Sequence, residues 1–253
     1  RRGGPPAAPL VFEARGLGRG TQVRGVDRTI RAGETGGLAG LVGSGRSEFA
    51  RLIFGADRPD AGEIWLDGKP LKPRSPAVAM RSGVAMVPES RKDQGLHLNQ
   101  SIRDNITLAN LDRSSTYGIR RPRAEKRLAA EATSRLDVRG ANAAGQVWTL
   151  SGGNQQKVMF AKWLARRPRL LIIDEPTRGV DVGAKVEIHR LISELASSGI
   201  AVLLISSEIE EVLGLSHRVT VLRQGHVSAT FNAAEANPEK VLAAAFADRK
   251  DLR

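Results

Sequence analysis

Two adjacent carboxylates, Asp174 and Glu175, end the apolar run Leu170–Ile173, whose length and β-branched content suit a central parallel strand. Open α/β sheets bind ligands at the carboxyl ends of such strands, so one acid can hold Mg²⁺ while its neighbour orients a water. Upstream, Ser151, Gly152 and Gly153 precede a helical pattern and leave backbone amides bare at its start, which suits them to phosphate oxygens. A third segment, Gly40-Leu41-Val42-Gly43-Ser44-Gly45-Arg46-Ser47, follows an apolar stretch and opens another helix, as a phosphate-cradling P-loop should. Gly43 and Gly45 allow close approach of the backbone to phosphate, and Ser47 stands where a hydroxyl would ligate Mg²⁺. The plainer alternatives are an Asp-Glu-Pro turn that merely ends a strand, and a serine N-cap followed by packing glycines.

These groups need a scaffold, and the pattern supplies one. Val11 to Ala14 and Val26 to Ile30 read as strands of an antiparallel edge sheet, with Gly16 to Gly25 as their connection. The helix behind the P-loop is expected from about Arg46 to Phe54, Glu63 to Leu66 is a strand closed by the Asp67-Gly68 turn, and Val84 to Val87 is a buried strand. From Glu89 to about Leu136 the pattern turns helical, with Ile102, Ile106 and Leu108 on one face and a second helix after Pro122. After a helix near Gly153 to Arg166, strands and helices alternate: Leu170 to Ile173, Ala184 to Ala196, Ala201 to Ile205, Glu208 to Leu213, Val219 to Leu222. Such alternation implies right-handed crossovers and a parallel sheet. A last short helix, Pro238 to Phe246, is expected under an Asn237 cap.

At 253 residues and 41% hydrophobic, the chain can bury one large domain or a domain with a subdomain. Its lack of cysteine removes disulfides and thiolate metal sites, and no apolar run reaches the roughly 18 to 20 residues that span a bilayer. A net charge of +12 raises a nucleic-acid partner. Only Arg120, Arg121, Arg123, Lys126 and Arg127 form a dense cluster, however, and aromatics for base stacking are scarce, so no nucleic acid is expected. The Pro/Gly-rich start, residues 1–9, reads as a linker to a preceding segment, the alternative being a shortened form of a complete protein.

The ordered set of P-loop, Val87-Pro88-Glu89, LSGG, Asp-Glu-Pro and Val180-Asp181 resembles the ATP-binding cassette (ABC) ATPases over nearly the whole chain, from about Leu10 to Phe231. The resemblance implies a P-loop NTPase fold of the α/β class, with a parallel core sheet, an antiparallel β edge subdomain and a helical subdomain at about 89–165. The nucleotide-binding domain would run 10–236, with helix and tail at 237–253. It implies ATP and Mg²⁺ as cofactors. Gly40, Gly43, Ser44, Gly45, Arg46, Ser47 and Glu48 would surround the phosphates, with Glu89 near the γ phosphate and Asp181, in the loop after the Asp-Glu pair (the Walker B element), also binding nucleotide. Asp174 and Ser47 would hold the metal, and Glu175 would activate water. Ser151, Gly152 and Gly153 would complete the site of a partner cassette.

Three positions depart from the family. Arg46 replaces the usual P-loop lysine, Glu89 the γ-phosphate-sensing glutamine, and Ser207 the switch histidine. A forked guanidinium holds phosphate in another geometry, a carboxylate repels it, and a hydroxyl carries no positive charge. His97, His189, His217 and His226 fall outside the switch position and read as surface or packing residues. Phe12, the one aromatic before the P-loop, reads equally as an adenine platform or a strand core residue. The Arg46 P-loop, Pro-Glu-Ser-Arg-Lys, LSGGNQQK and DEPTRGVDVGAK look like the second cassette of the tandem ATPases that energise bacterial monosaccharide import. That branch implies a second cassette on the same polypeptide, transmembrane permease subunits, a periplasmic or extracellular sugar-binding protein, and a peripheral place on the cytoplasmic face of the bacterial membrane. A non-hydrolytic regulatory module, or a soluble ABC protein acting on nucleic acid, are the competing readings.

Overall fold

The computed structural model describes residues 8–140 and 142–246, and these fall into two compact units. Of the described residues, the first takes in 8–86, Arg169–Glu175 and 192–246, and the second takes in Val87–Pro168 and Pro176–Leu191. Most of the expected linker and all of the expected tail, Asp248 to Arg253, lie outside the described residues.

In the first unit, β1 (Leu10–Arg19) and β2 (Val23–Arg31) pair antiparallel. The stretch expected as their connection is mostly strand. Gly16, at φ +57°, lets β1 bulge rather than stop, and its N–H donates to Asp27 Oδ1 at 2.6 Å. Only Gly20–Gln22 turns. β3 (Thr35–Ala39) leads through the P-loop into α1 (Arg46–Phe54), followed by β4 (Ala61–Leu66), β5 (Lys69–Leu71), α2 (Pro76–Ser82) and β6 (Val84–Val87). The edge sheet has the order β2-β1-β4-β5. Phe12 is fully buried within it, as a strand core residue.

The second unit is helical but more broken than its periodicity predicts. Ser90 opens a single π turn (Arg91–Gly95) by accepting the Asp93 N–H, and Ser101 caps α3 (Ile102–Leu108) by accepting that of Asp104. Ile102 and Ile106 are buried, but Leu108 is exposed, because two residues beyond Ile106 lies about 200° round the helix. α4 (Leu111–Ser114), the hairpin β7 (Ser115–Thr116) and β8 (Ile119–Arg120), and α5 (Pro122–Arg135) follow. A 3₁₀ turn at Val147–Thr149 precedes α6 (Gly152–Leu164). Lys162 of α6 is buried and donates from Nζ to Gly95 O at 2.8 Å, while Asn110 Nδ2 donates to Ile106 O and Lys162 O.

β9 (Leu170–Asp174), α7 (Val182–Ser197), β10 (Ala201–Ile205), α8 (Ile209–Leu215), β11 (Arg218–Arg223), β12 (His226–Asn232) and α9 (Pro238–Phe246) complete the chain. The large sheet has the order β12-β11-β3-β10-β9-β6, parallel from β11 through β9, with β12 antiparallel at one edge. All five residues of β3, β9 and β10 are buried. Asn237 Oδ1 accepts the Lys240 N–H at 2.8 Å, capping α9, whose Val241, Ala244 and Ala245 pack with Val219 and Val221.

Candidate nucleotide site

The loop Gly40–Ser47 leaves the carboxyl end of β3, and glycine is required at two of its bends. At Gly40 (φ +151°) a Cβ would lie 2.4 Å from Leu222 O, and at Gly45 (φ +100°) 2.3 Å from Gln22 O. Gly43 (φ +78°) instead faces open space. Gly45 is also the N-cap of α1, so the first-turn amides from Arg46 onward have no carbonyl one turn back. Ser44 Oγ is buried with no hydrogen-bond partner. Glu48 sits in the first turn of α1.

Asp174 ends β9 nearly fully buried, hydrogen-bonded by Ser47, with Oδ1 lacking any partner. Burial pushes its carboxyl up to about 6, and the neighbouring Glu175 adds to the rise while Ser47 and Arg46 oppose it. A buried anionic group with an unmatched oxygen and a hydroxyl beside it has the donor chemistry of a hard divalent cation site. Glu175 follows at φ +49°, with its N–H donating to Ile205 O at 2.9 Å. Left-handed backbone is uncommon for a glutamate, and here it turns the chain off the sheet at the second acid. Burial raises this carboxyl too, opposed by Ser207 and Arg46.

Ser207 Oγ donates to Glu175 Oε2 at 3.1 Å, so the residue at the switch position touches the second acid directly. Arg46 is buried and its Nη1 donates to Ser206 O, which ties the start of α1 to the end of β10. Burial lowers its pKa, while Glu175, Asp174 and Glu48 favour its charge. One fork of the guanidinium is thus engaged by the protein itself. The structure brings Gly40, Gly43, Ser44, Gly45, Arg46, Ser47, Glu48, Asp174, Glu175 and Ser207 into the first unit.

The remaining predicted residues belong to the second unit. Ser151 is the N-cap of α6 and accepts from Asn154 Nδ2 at 3.0 Å. Gly153 is buried, and a Cβ there would lie 2.7 Å from that of Ala184, so this glycine also serves packing. Asp181 Oδ1 accepts the Ala184 N–H at 2.9 Å, an N-cap geometry for α7. Glu89 forms an ion pair with Arg178. Arg91 Nη2 donates to Gly179 O at 3.1 Å and lies 3.1 Å from where a Cβ of Gly152 would be, bracing the serine-glycine turn. Sequence reasoning missed Arg91 and Arg178. Their only signal was charge beside motif residues, which elsewhere in this chain marks a solvated face. His217 is a packing residue, its Nδ1 accepting the Thr35 N–H at 2.9 Å.

Residues 23–178 match the model of a family described as ABC transporter. The chain is 52% identical over 236 residues to the "Ribose import ATP-binding protein RbsA 2" of Rubrobacter xylanophilus, covering 93% of this chain and 46% of that protein. It is 48% identical over 240 residues to the "Ribose import ATP-binding protein RbsA" of Pseudomonas putida, covering 95% and 47%. The chain therefore spans about half the length of the curated relatives it matches. Among solved structures, a nucleotide-free ATP-binding cassette from an ABC transporter superposes with a TM-score of 0.76 at 18% identity, over 96% of this chain and 98% of that one, and shares its fold. The parallel core, the P-loop bend, the paired acids at the end of β9 and the family match over 23–178 make this chain a member of the ABC transporter family.

Proposed function

We infer that this chain is an ATP-binding cassette that serves monosaccharide import, as the second cassette of a tandem polypeptide. The observation that carries the nucleotide-binding part of this reading is the pairing of Ser47 with a buried, under-satisfied Asp174 at the mouth of the P-loop, and the cassette's place in a tandem importer rests on the motifs it shares with that branch. Ser47 and Asp174 would hold Mg²⁺, which supplies charge neutralisation for the β and γ phosphates when bound. The glycines at 40, 43 and 45 admit the triphosphate, and the first-turn amides of α1 donate to it. Glu175, its carboxyl raised by burial and oriented by Ser207 Oγ, accepts a proton from the attacking water.

Three features support a weak site. Within the first unit Arg46 is partly engaged by Ser206 O and Ser207 carries no charge, and by family resemblance alone Glu89 puts an acid in the place of a glutamine. Ser151, Gly152 and Gly153 retain the form needed to serve a second cassette, and Asp181 follows in the loop leading to α7. The sugar-import reading rests on the ribose-import relatives, whereas permease subunits, a sugar-binding protein and a peripheral membrane position follow from the resemblance of the motifs to the tandem importers. Among the described residues no helix is long and apolar enough to cross a membrane.

The same three features favour a second reading, in which the domain holds nucleotide without hydrolysing it and regulates its partner. Replacing Glu175 by Gln in the full transporter separates the two. Transport falls sharply if this site hydrolyses ATP and stays near wild type if it only binds. Rapid Mg²⁺-dependent hydrolysis by this chain alone would remove the weak-site reading.

A further inference from the structure

We propose that the β7–β8 hairpin and the start of α5 form a docking surface for an anionic phospholipid bilayer. Tyr117 at the hairpin tip is 100% exposed and Ile119 is 73% exposed. The backbone is fixed in this presentation: Tyr117 and Gly118 both adopt positive φ, Thr116 pairs with Ile119, and Arg121 N–H donates to Ser114 O at 2.9 Å. Arg120 anchors the hairpin from below, with Nε donating to Glu125 Oε1 at 2.6 Å and Nη2 to Asp104 Oδ1 at 3.3 Å. Glu125, the one acid between residues 117 and 127, is buried and consumed by that contact. Among the described residues Arg121, Arg123 and Lys126 have no ion-pair partner, and Arg127 has only Glu131 at 3.7 Å.

An aromatic and an aliphatic side chain held out beside four exposed cations match the two layers of a bilayer surface. The rings and methyls suit the interfacial hydrocarbon, and the guanidiniums suit the phosphates. A neighbouring cavity of about 330 Å³, which shares Ala124 and Arg127 with the cluster, is lined by Leu128, Leu136 and Leu164 and by Arg113, Arg135 and Arg167, with Glu131 the one acid, and would accept a lipid headgroup. RNA is the alternative polyanion. Ile119 gives no stacking face and no donor to a nucleic acid, and Tyr117 stands without a second aromatic nearby in sequence. The hydrocarbon-facing tip is therefore the feature that selects lipid.

The test is sedimentation of the 253-residue chain with vesicles of phosphatidylcholine, with or without 30% phosphatidylglycerol, alongside titration of a duplex RNA at the same ionic strength. The proposal expects binding to the anionic vesicles alone, lost at high salt. R121E/R123E/K126E should weaken it by at least about tenfold, and Y117S/I119S by several-fold. All five positions are exposed, and unchanged circular dichroism checks the fold. Equal recovery with neutral vesicles, no recovery with either, or RNA binding that persists while vesicles are ignored would each overturn it. So would charge reversal that matters while Y117S/I119S does not. No nucleotide is present in this assay, so its failure is separate from failure of the cassette reading.

Discussion

The burial of Asp174 makes a prediction about stability that needs no ligand. Its carboxyl is raised from 3.8 to about 6 by loss of solvent. A folded state that holds the proton more tightly than the unfolded chain loses stability as pH rises between those two values, with the full cost present above about pH 6. The rise from 3.8 to about 6 corresponds to roughly 3 kcal/mol at pH 8, of which about half is already incurred at pH 5. Asp174→Asn keeps an acceptor for Ser47 and carries no charge. It should therefore stabilise the Mg²⁺-free, nucleotide-free chain, and the stabilisation should be roughly 1 kcal/mol larger at pH 8 than at pH 5. Taking the difference between variant and wild type at each pH cancels the titrating groups that Asp174 does not touch. Urea unfolding followed by circular dichroism at both pH values, with chelator present, measures it. A stabilisation that is flat across this window, or an Asn variant less stable than wild type at pH 8, would refute the claim that lost solvent outweighs the Arg46 charge at Asp174. The same variant should lose any extra stabilisation that Mg²⁺ gives to nucleotide-bound protein, measured as the shift in midpoint at fixed ATP.

Arg46→Lys should tighten nucleotide binding by about tenfold to a hundredfold, one charge-assisted bond of roughly 1.5 to 3 kcal/mol, by fluorescence titration; an unchanged affinity would mean that the Ser206 contact does not compete with phosphate. Gly40→Ala forces a Cβ to 2.4 Å from Leu222 O at a φ that favours glycine, and should lower stability by about 2 kcal/mol or more in urea unfolding. Asn237→Ala removes the α9 cap and should cost about 1 kcal/mol without altering nucleotide affinity. Glu89 and Arg178 are both partly exposed, so a double-mutant cycle to alanine should give a coupling in stability below about 1 kcal/mol, and a larger value would show the pair to be shielded from water.

The chemistry-bearing groups, and the strands and helices on either side of most of them, were legible in the chain alone. Leu170–Ile173 and Ala201–Ile205 are short, β-branched apolar runs of the kind a doubly covered parallel strand accommodates, so the position of Asp174 and Glu175 at a strand end followed from local pattern. Asn237 before Pro238 marked the start of α9 for the same local reason. β3 was not legible in this way. Gly36 and Gly37 read against a strand, and only the fold explains them: a Cβ on Gly36 would lie 2.4 Å from the Arg28 guanidinium, and one on Gly37 2.3 Å from Ser216 Oγ. Arg28 is itself buried, its pKa lowered to about 10 by lost solvent and by Arg218, a cost that no window of sequence reveals. The departures at positions 46, 89 and 207 were visible as residue types, but their partners were not. That Arg46 reaches Ser206 O, that Glu89 meets Arg178 and that Ser207 holds Glu175 are contacts across 160, 89 and 32 residues of chain. Periodicity records which face of an element is buried; which charge lies opposite another is decided only when distant strand ends and loops are brought together.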